Sequence, residues 1–243
     1  MKLNLKKKTV DSGVEKAKNV ISSDSKFAIV EGYKIARTNL LFSLTALNNN
    51  CVAVTSWSKG EGKSTATVNL AISFAKMNKR VLLIDTDLRR PNVHNLLKLS
   101  NETGVSDVVA GMGEFENAVH RDVVGTLDVL TSGAIPPNPS ELIASQVFAD
   151  LLAKAKEEYD YVIMDTPPLG VVADTLLLKD FVGGYVMIVR ERITTHGDIE
   201  KALQSVHLAD SKVLGFLKVG CSMRKRGYKY NKYHYNYNAY YYR

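Results

Sequence analysis

The stretch Ser56-Trp57-Ser58-Lys59-Gly60-Glu61-Gly62-Lys63-Ser64-Thr65 constrains this chain more than any other. It follows a short apolar run, Cys51–Thr55, that reads as a strand, and it opens a helical stretch over Gly62–Met77. A strand that turns through glycines into a helix is the setting of a phosphate-binding loop. Glycines let successive backbone amides face inward around phosphate oxygens, and the helix N-terminus adds the positive end of its dipole. The cradle would run over Lys59, Gly60, Glu61, Gly62, Lys63, Ser64 and Thr65. Lys63 would reach the outer phosphates and Ser64 would ligate magnesium, which implies ATP and Mg2+ as cofactors. Trp57 occupies the position where such loops usually carry their first glycine. The plainer reading, a glycine-containing strand–helix turn, does not account for Gly-Lys-Ser-Thr in this setting.

The rest of the chain repeats the same alternation. Strands are expected at Arg80–Asp85, Leu127–Leu130, Tyr161–Asp165, Tyr185–Val189 and Val213–Val219. Helices are expected at Ala28–Leu47, Ser140–Tyr159, Val171–Lys179 and His196–Leu208, with shorter pieces near 92–98 and 104–110. The strands are short continuous apolar runs, as in sheets covered on both faces. Alternating strands and helices predict an α/β fold with a doubly wound, mostly parallel sheet of the P-loop NTPase type.

Two of the strands end in acids. Val81-Leu82-Leu83-Ile84-Asp85-Thr86-Asp87-Leu88-Arg89 places two carboxylates past one strand, and Tyr161-Val162-Ile163-Met164-Asp165-Thr166-Pro167-Pro168 places one past another. Ligands in open α/β sheets lie at these carboxyl ends. Each Asp alone serves equally well as a helix or turn cap. Three beside a phosphate loop point to magnesium, held through its reluctantly released waters.

Charge and aromatic content are concentrated at the C-terminus. Of the net charge of +7, six positive charges (Arg224, Lys225, Arg226, Lys229, Lys232, Arg243) fall after Cys221 with no acid among them. Eight of the twelve tyrosines lie in the last sixteen residues: Tyr228, Tyr230, Tyr233, Tyr235, Tyr237, Tyr240, Tyr241 and Tyr242. With no aliphatic residue larger than Ala239, this segment cannot build a core and is expected to be a flexible tail. It suits a phosphoacceptor, since a phenol with a pKa near 10 gains from a nearby base such as Asp85, and each phosphate adds roughly −1.5 to −2 charge. Basic and aromatic residues could instead bind single-stranded nucleic acid. The expected organisation is an N-terminal arm over 1–27, a P-loop domain over 28–222 and a basic tyrosine tail over 223–243. The two cysteines have no disulfide or zinc spacing, and no apolar run is long enough to span a membrane or serve as a secretory signal.

Together these motifs resemble the bacterial tyrosine kinases (BY-kinases) of the detached cytoplasmic type, from about Glu31 to the end. The Walker A motif matches Gly60–Thr65, the Walker A′ motif Leu82–Arg89, and the Walker B motif Val162–Pro168; Gly133–Leu142 resembles a further segment of the family. The resemblance implies protein-tyrosine autokinase activity with Mg-ATP. Lys63, Asp85, Asp87 and Arg89 would be catalytic, Asp85 activating the acceptor, while Ser64, Asp87 and Asp165 hold the metal. The tail from Tyr228 onward would be the target, mainly on a neighbouring subunit.

The family's Glu-x-x-Arg-x-x-Arg helix, which assembles rings, reads Glu31, Lys34, Arg37 here, with lysine replacing one planar fork. Val219 stands where the family often carries an asparagine near the base pocket. The implied partners are further copies of this chain in a ring, a membrane-bound activator with a cytoplasmic tail, and a cognate tyrosine phosphatase; no nucleic acid is expected. The implied location is cytoplasmic, at the inner face of the membrane, and the implied process is control of capsular or exopolysaccharide synthesis and export. A cargo-positioning ATPase of the MinD/ParA type is the main rival. It requires a signature lysine where this chain has Ser58, and it leaves the tyrosines unexplained.

Overall fold

The computed structural model describes residues 19–221. The tyrosine cluster at 228–242 and the first 18 residues lie outside them. The chain forms α1 (Phe27–Ala46), β1 (Cys51–Ser56), α2 (Lys63–Ala75), β2 (Val81–Asp85), α3 (Val93–Leu97), α4 (Val105–Val109), α5 (Phe115–Ala118) and β3 (Val119–Val124). There follow β4 (Leu127–Leu130), α6 (Pro139–Ile143), α7 (Gln146–Glu158), β5 (Tyr161–Asp165), a 3-10 helix (Asp174–Leu178), β6 (Tyr185–Arg190), α8 (His196–Leu208) and β7 (Val213–Val219).

One seven-stranded sheet runs β3-β4-β2-β5-β1-β6-β7. All pairs are parallel except β3–β4. The period-two geometry of a strand divides each central run between two cores. Cys51, Ala53, Leu82, Ile84, Val162 and Met164 face one layer, with Phe148, Leu152 and Ala155 of α7 and Ala202 and Val206 of α8. Val52, Val54, Val81, Leu83 and Ile163 face the other, with Leu70 and Phe74 of α2 and Leu40 and Leu44 of α1. Every one of these residues is buried, which explains why the strands read as continuous apolar runs. The doubly wound α/β architecture is the one expected.

Four local expectations need correction. The helix expected over Ser140–Tyr159 is two helices. Pro139 starts α6, and the Ser145 hydroxyl then accepts the Phe148 N–H at 3.2 Å to cap α7. The helix expected over Val171–Lys179 is a turn followed by a 3-10 helix. The Thr175 carbonyl accepts the Tyr185 hydroxyl at 2.9 Å, and Lys179 N–H bonds Leu176 three residues back. The edge strand β3 was not expected, because His120, Arg121 and Asp122 interrupt its apolar pattern. Asp122 takes a left-handed φ of 51°, and Asp128 accepts from both Arg121 and the Asp122 N–H. Finally, the arm expected over 1–27 is partly docked. Val20 and Ile21 are buried against α2, where Asn69 accepts the Ile21 N–H at 2.8 Å and donates to the Asn19 carbonyl at 3.1 Å.

Candidate active site

Strand register assembles the site. β5 lies between β2 and β1, with Asp85 opposite Asp165 and Asp165 opposite Val54. The three motif strands therefore end side by side, and the loop that follows β1 arches over both acids. The β1–α2 turn holds Gly60 at φ 79° and Gly62 at φ 87°, left-handed angles that glycine adopts without strain. A cleft of ≈ 430 Å3 opens here. Ser58, Lys59, Gly60, Gly62, Lys63, Ser64 and Thr65 form one wall, and Asp87, Arg89, Arg90, Pro167 and Pro168 are among the residues facing it.

Lys63 is the hub of the floor. Its ammonium donates to Asp165 Oδ2 at 2.9 Å and lies 3.5 Å from Asp87 Oδ2 and 3.4 Å from the Ser64 hydroxyl. Burial alone would depress its pKa, but the Asp165 and Asp87 charges outweigh burial and push it up. The second Asp165 oxygen accepts the Thr67 hydroxyl at 2.9 Å. Thr67 sits one helical turn after Lys63, so α2 presents both donors to one carboxylate. Helical spacing could have revealed Thr67 in the sequence.

The two acids after β2 part company. Asp87 lines the cleft, and burial lifts its pKa against the pull of Lys63. Asp85 lies beneath the cleft with no exposed surface. It accepts N–H groups from Asp87 at 3.2 Å, Asn92 at 3.1 Å and Val93 at 3.0 Å, and so holds the A′ loop in shape. Burial, reinforced by Asp165, pushes its pKa up to about 7. Asp165 and Asp87 thus flank a single ammonium, and the Asp85 charge acts on it from farther off, so the site carries more negative than positive charge and favours an added cation. The described residues contain no group of three or more His, Cys, Asp or Glu able to hold a metal unaided. A magnesium ion that keeps several waters and leans on phosphate oxygens needs only one or two carboxylates. Ser64 and Asp87 line the cleft and could supply such ligands, whereas Asp165 is fully buried with one oxygen on Lys63 and the other on Thr67.

Arg89 faces away from Lys63. Its fork donates to Asp174 at 2.6 and 3.2 Å and to the Ser140 hydroxyl at 3.0 Å, and Ser140 donates to Asp174 at 2.7 Å. Burial would raise the Asp174 pKa, but Arg89 and Ser140 hold it below the usual carboxylate range. Asp174 carried no sequence signal; only the fold brings the 3-10 helix beside α6 and the A′ loop.

Glu61 is the one P-loop residue whose side chain leaves the cleft. It is buried, and its carboxylate accepts the Ser58 N–H at 2.8 Å and the Thr194 hydroxyl. Trp57 is accommodated by Gly170, whose N–H donates to the Trp57 carbonyl at 2.9 Å. A Cβ at Gly170 would lie 2.7 Å from the indole. On α1, Lys34 pairs with Glu31 at 2.7 Å, while Arg37 turns inward to the Ser73 carbonyl of α2. Ile35 and Phe42, one helix face apart by seven residues, stay exposed. Among the described residues no helix is long and apolar enough to cross a membrane.

Comparison with known proteins gives the family. Residues 49–211 match the family model described as an AAA domain. The tyrosine-protein kinase YwqD of Bacillus subtilis (strain 168) is 39% identical over 214 residues, covering 88% of this chain and 90% of the relative. The tyrosine-protein kinase wzc of Salmonella typhi is 35% identical over 200 residues, covering 82% of this chain but only 28% of that longer protein. The solved structure of the kinase domain of the Escherichia coli tyrosine kinase ETK superposes with a TM-score of 0.78 at 34% identity, over 82% of this chain and 78% of that one. With its P-loop, its paired acidic strand ends and this coverage, the chain belongs to the bacterial tyrosine kinases.

Proposed function

We propose that the cleft takes Mg-ATP and that the chain phosphorylates tyrosines of its own C-terminal cluster, Tyr228, Tyr230, Tyr233, Tyr235, Tyr237, Tyr240, Tyr241 and Tyr242, mainly on a neighbouring copy. The observation that carries the reading is the Lys63 hub, one cation paired with two carboxylates under a glycine-rich loop, with Asp85 close behind them. When bound, Mg-ATP supplies the phosphoryl group. The amides of residues 59–65 hold its phosphates, and Lys63 exchanges its carboxylate partners for phosphate oxygens. Ser64 and Asp87 would hold the metal from the cleft wall, and Asp165, once released by Lys63, would support it from beneath.

Asp85 is the base in this reading, since a pKa near 7 suits a proton acceptor at neutral pH. It is covered by the Asn92 and Val93 amides, so a phenol reaches it only when the A′ loop shifts. Arg89, clamped by Asp174, shapes the acceptor side. The exposed Ile35 and Phe42 beside Glu31 and Lys34 support self-association through α1, with Arg37 bracing the helix from within. A ring closes if that contact is head-to-tail. Recruitment to the membrane by an activator, reversal by a tyrosine phosphatase, and control of capsule or exopolysaccharide export complete the proposal.

Intact-mass analysis and tail peptide mapping after incubation with Mg-ATP test it, using wild type, Lys63→Met and a chain ending at Ser222. Phosphate steps on 228–242 in wild type, absent in Lys63→Met, are the expected result. Steady ATP hydrolysis with no phosphate on any tyrosine, even with an activator peptide, refutes it in favour of a cargo-positioning ATPase.

A further inference from the structure

A carboxylate within an anion-binding loop is electrostatically out of place unless it has other work. Glu61 is 1% exposed, and both its oxygens are engaged away from the cleft. One partner is local, the Ser58 N–H. The other, the Thr194 hydroxyl, comes from the turn that follows β6. The same hydroxyl accepts the Arg190 N–H at 2.8 Å, and the Thr194 N–H returns to the Arg190 carbonyl at 3.0 Å. The turn is thus closed on itself before it meets the P-loop. From its first residue the Arg190 guanidinium donates to the Gly60 carbonyl at 3.0 Å. Its NH1 would lie 3.6 Å from a Cβ placed on Gly62. One turn therefore grips two successive P-loop residues, one by its side chain and one by its backbone.

The grip has a physical purpose. Glycine has more backbone freedom to lose than any other residue type, and Gly60 and Gly62 are both held left-handed. A loop that must be ordered by its ligand binds more weakly by the fraction of time it is competent. We infer that Glu61, Thr194 and Arg190 are positioning residues: they form a brace that presets the P-loop amides and Lys63 for a nucleoside polyphosphate. Glu61 then serves the site without touching the ligand through its side chain. The inference rests on the reading that the cleft takes Mg-ATP, and it adds a part of the chain, the 190–194 turn, that no P-loop motif contains.

Trp57, the single tryptophan, sits inside the braced loop and reports on it. The full chain is titrated with Mg-ADP by Trp57 fluorescence as wild type, Thr194→Val, Thr194→Ser, Arg190→Met, Glu61→Gln and the Glu61→Gln/Thr194→Val pair. Backbone hydrogen exchange of residues 58–62 is measured without nucleotide. Thr194→Val should speed that exchange and weaken Mg-ADP about tenfold, raising KM for ATP while kcat at saturation changes less than twofold. Thr194→Ser should restore both. The double variant should bind better than the two single losses multiplied together would give, because both variants act on the Glu61–Thr194 contact, while Glu61→Gln also bears on the Ser58 N–H and Thr194→Val also removes the acceptor of the Arg190 N–H. If Thr194→Val does not fold, Arg190→Met carries the same expectation through the Gly60 carbonyl. Loop exchange unchanged in Thr194→Val and Arg190→Met overturns the brace, as does Mg-ADP binding within twofold of wild type in both. Wild type that exchanges slowly at 58–62 yet binds no Mg-ADP would instead sink the nucleotide reading and leave the brace standing.

Discussion

Gly170→Ala should destabilise the chain and disturb the P-loop together, although the residue touches neither phosphate nor metal in the proposed reaction. The added Cβ would lie 2.7 Å from Trp57 Cε2, 2.9 Å from Cδ2 and 2.7 Å from the Trp57 carbonyl oxygen. Carbon contacts are comfortable at about 3.5–4.0 Å, so the overlap with the indole is roughly 0.8 Å. The indole is a rigid plane packed against the core, and the carbonyl is backbone held by the Gly170 N–H. Neither can swing aside as a flexible side-chain end would. Overpacking of this kind costs about 1–3 kcal/mol. In a chain of this size that corresponds to a fall in Tm of roughly 2–12 °C.

Urea denaturation followed by circular dichroism reads the stability, and Trp57 emission reads the loop. Trp57→Gly removes two of the three clashes and leaves the carbonyl, so Gly170→Ala should cost less in a Trp57→Gly background than in wild type, though still more than nothing, once the loss of indole packing is measured in the Trp57→Gly single variant. A Gly170→Ala protein within about 0.5 kcal/mol of wild type and with unchanged Trp57 emission would refute the packing account.

Three other outcomes are expected. Asp165→Ala leaves the buried Lys63 with Asp87 alone at 3.5 Å and strands the Thr67 hydroxyl, so it should cost about 3–5 kcal/mol by denaturant melts. Asp174 titrates below its unfolded value near 3.9 because Arg89 and Ser140 overcome its burial. Its stabilisation is therefore complete above that pH and lost as pH falls through the folded value, and Asp174→Asn should flatten the stability profile below about pH 4. Asn69→Ala strands the buried Ile21 N–H and should cost about 1–3 kcal/mol, with faster hydrogen exchange at 20–22 in the same sample.

The sequence by itself determined the doubly wound α/β fold and the neighbourhood of the P-loop, Asp85, Asp87 and Asp165. The reason is that their signals are local. A strand buried on both faces must be apolar throughout, and a phosphate loop needs its glycines and Lys63 at fixed spacing. Acids at the ends of β2 and β5 come together at the crevice floor wherever those strands pair. Elements whose form depends on distant partners were not legible. Ser145 divides a helix that periodicity joins, Thr175 gives its carbonyl to Tyr185, and β3 exists because Asp128 gathers Arg121 and the Asp122 amide. The tertiary structure alone decided that Asp85 lies beneath the cleft while Asp87 lines it, that Asp174 holds Arg89, and that Glu61 turns from the ligand side toward Thr194. These are contacts across 85 and 133 residues of chain. Side-chain direction at such sites is set by where the nearest unsatisfied donor comes to rest, and only the packed fold brings that donor into place.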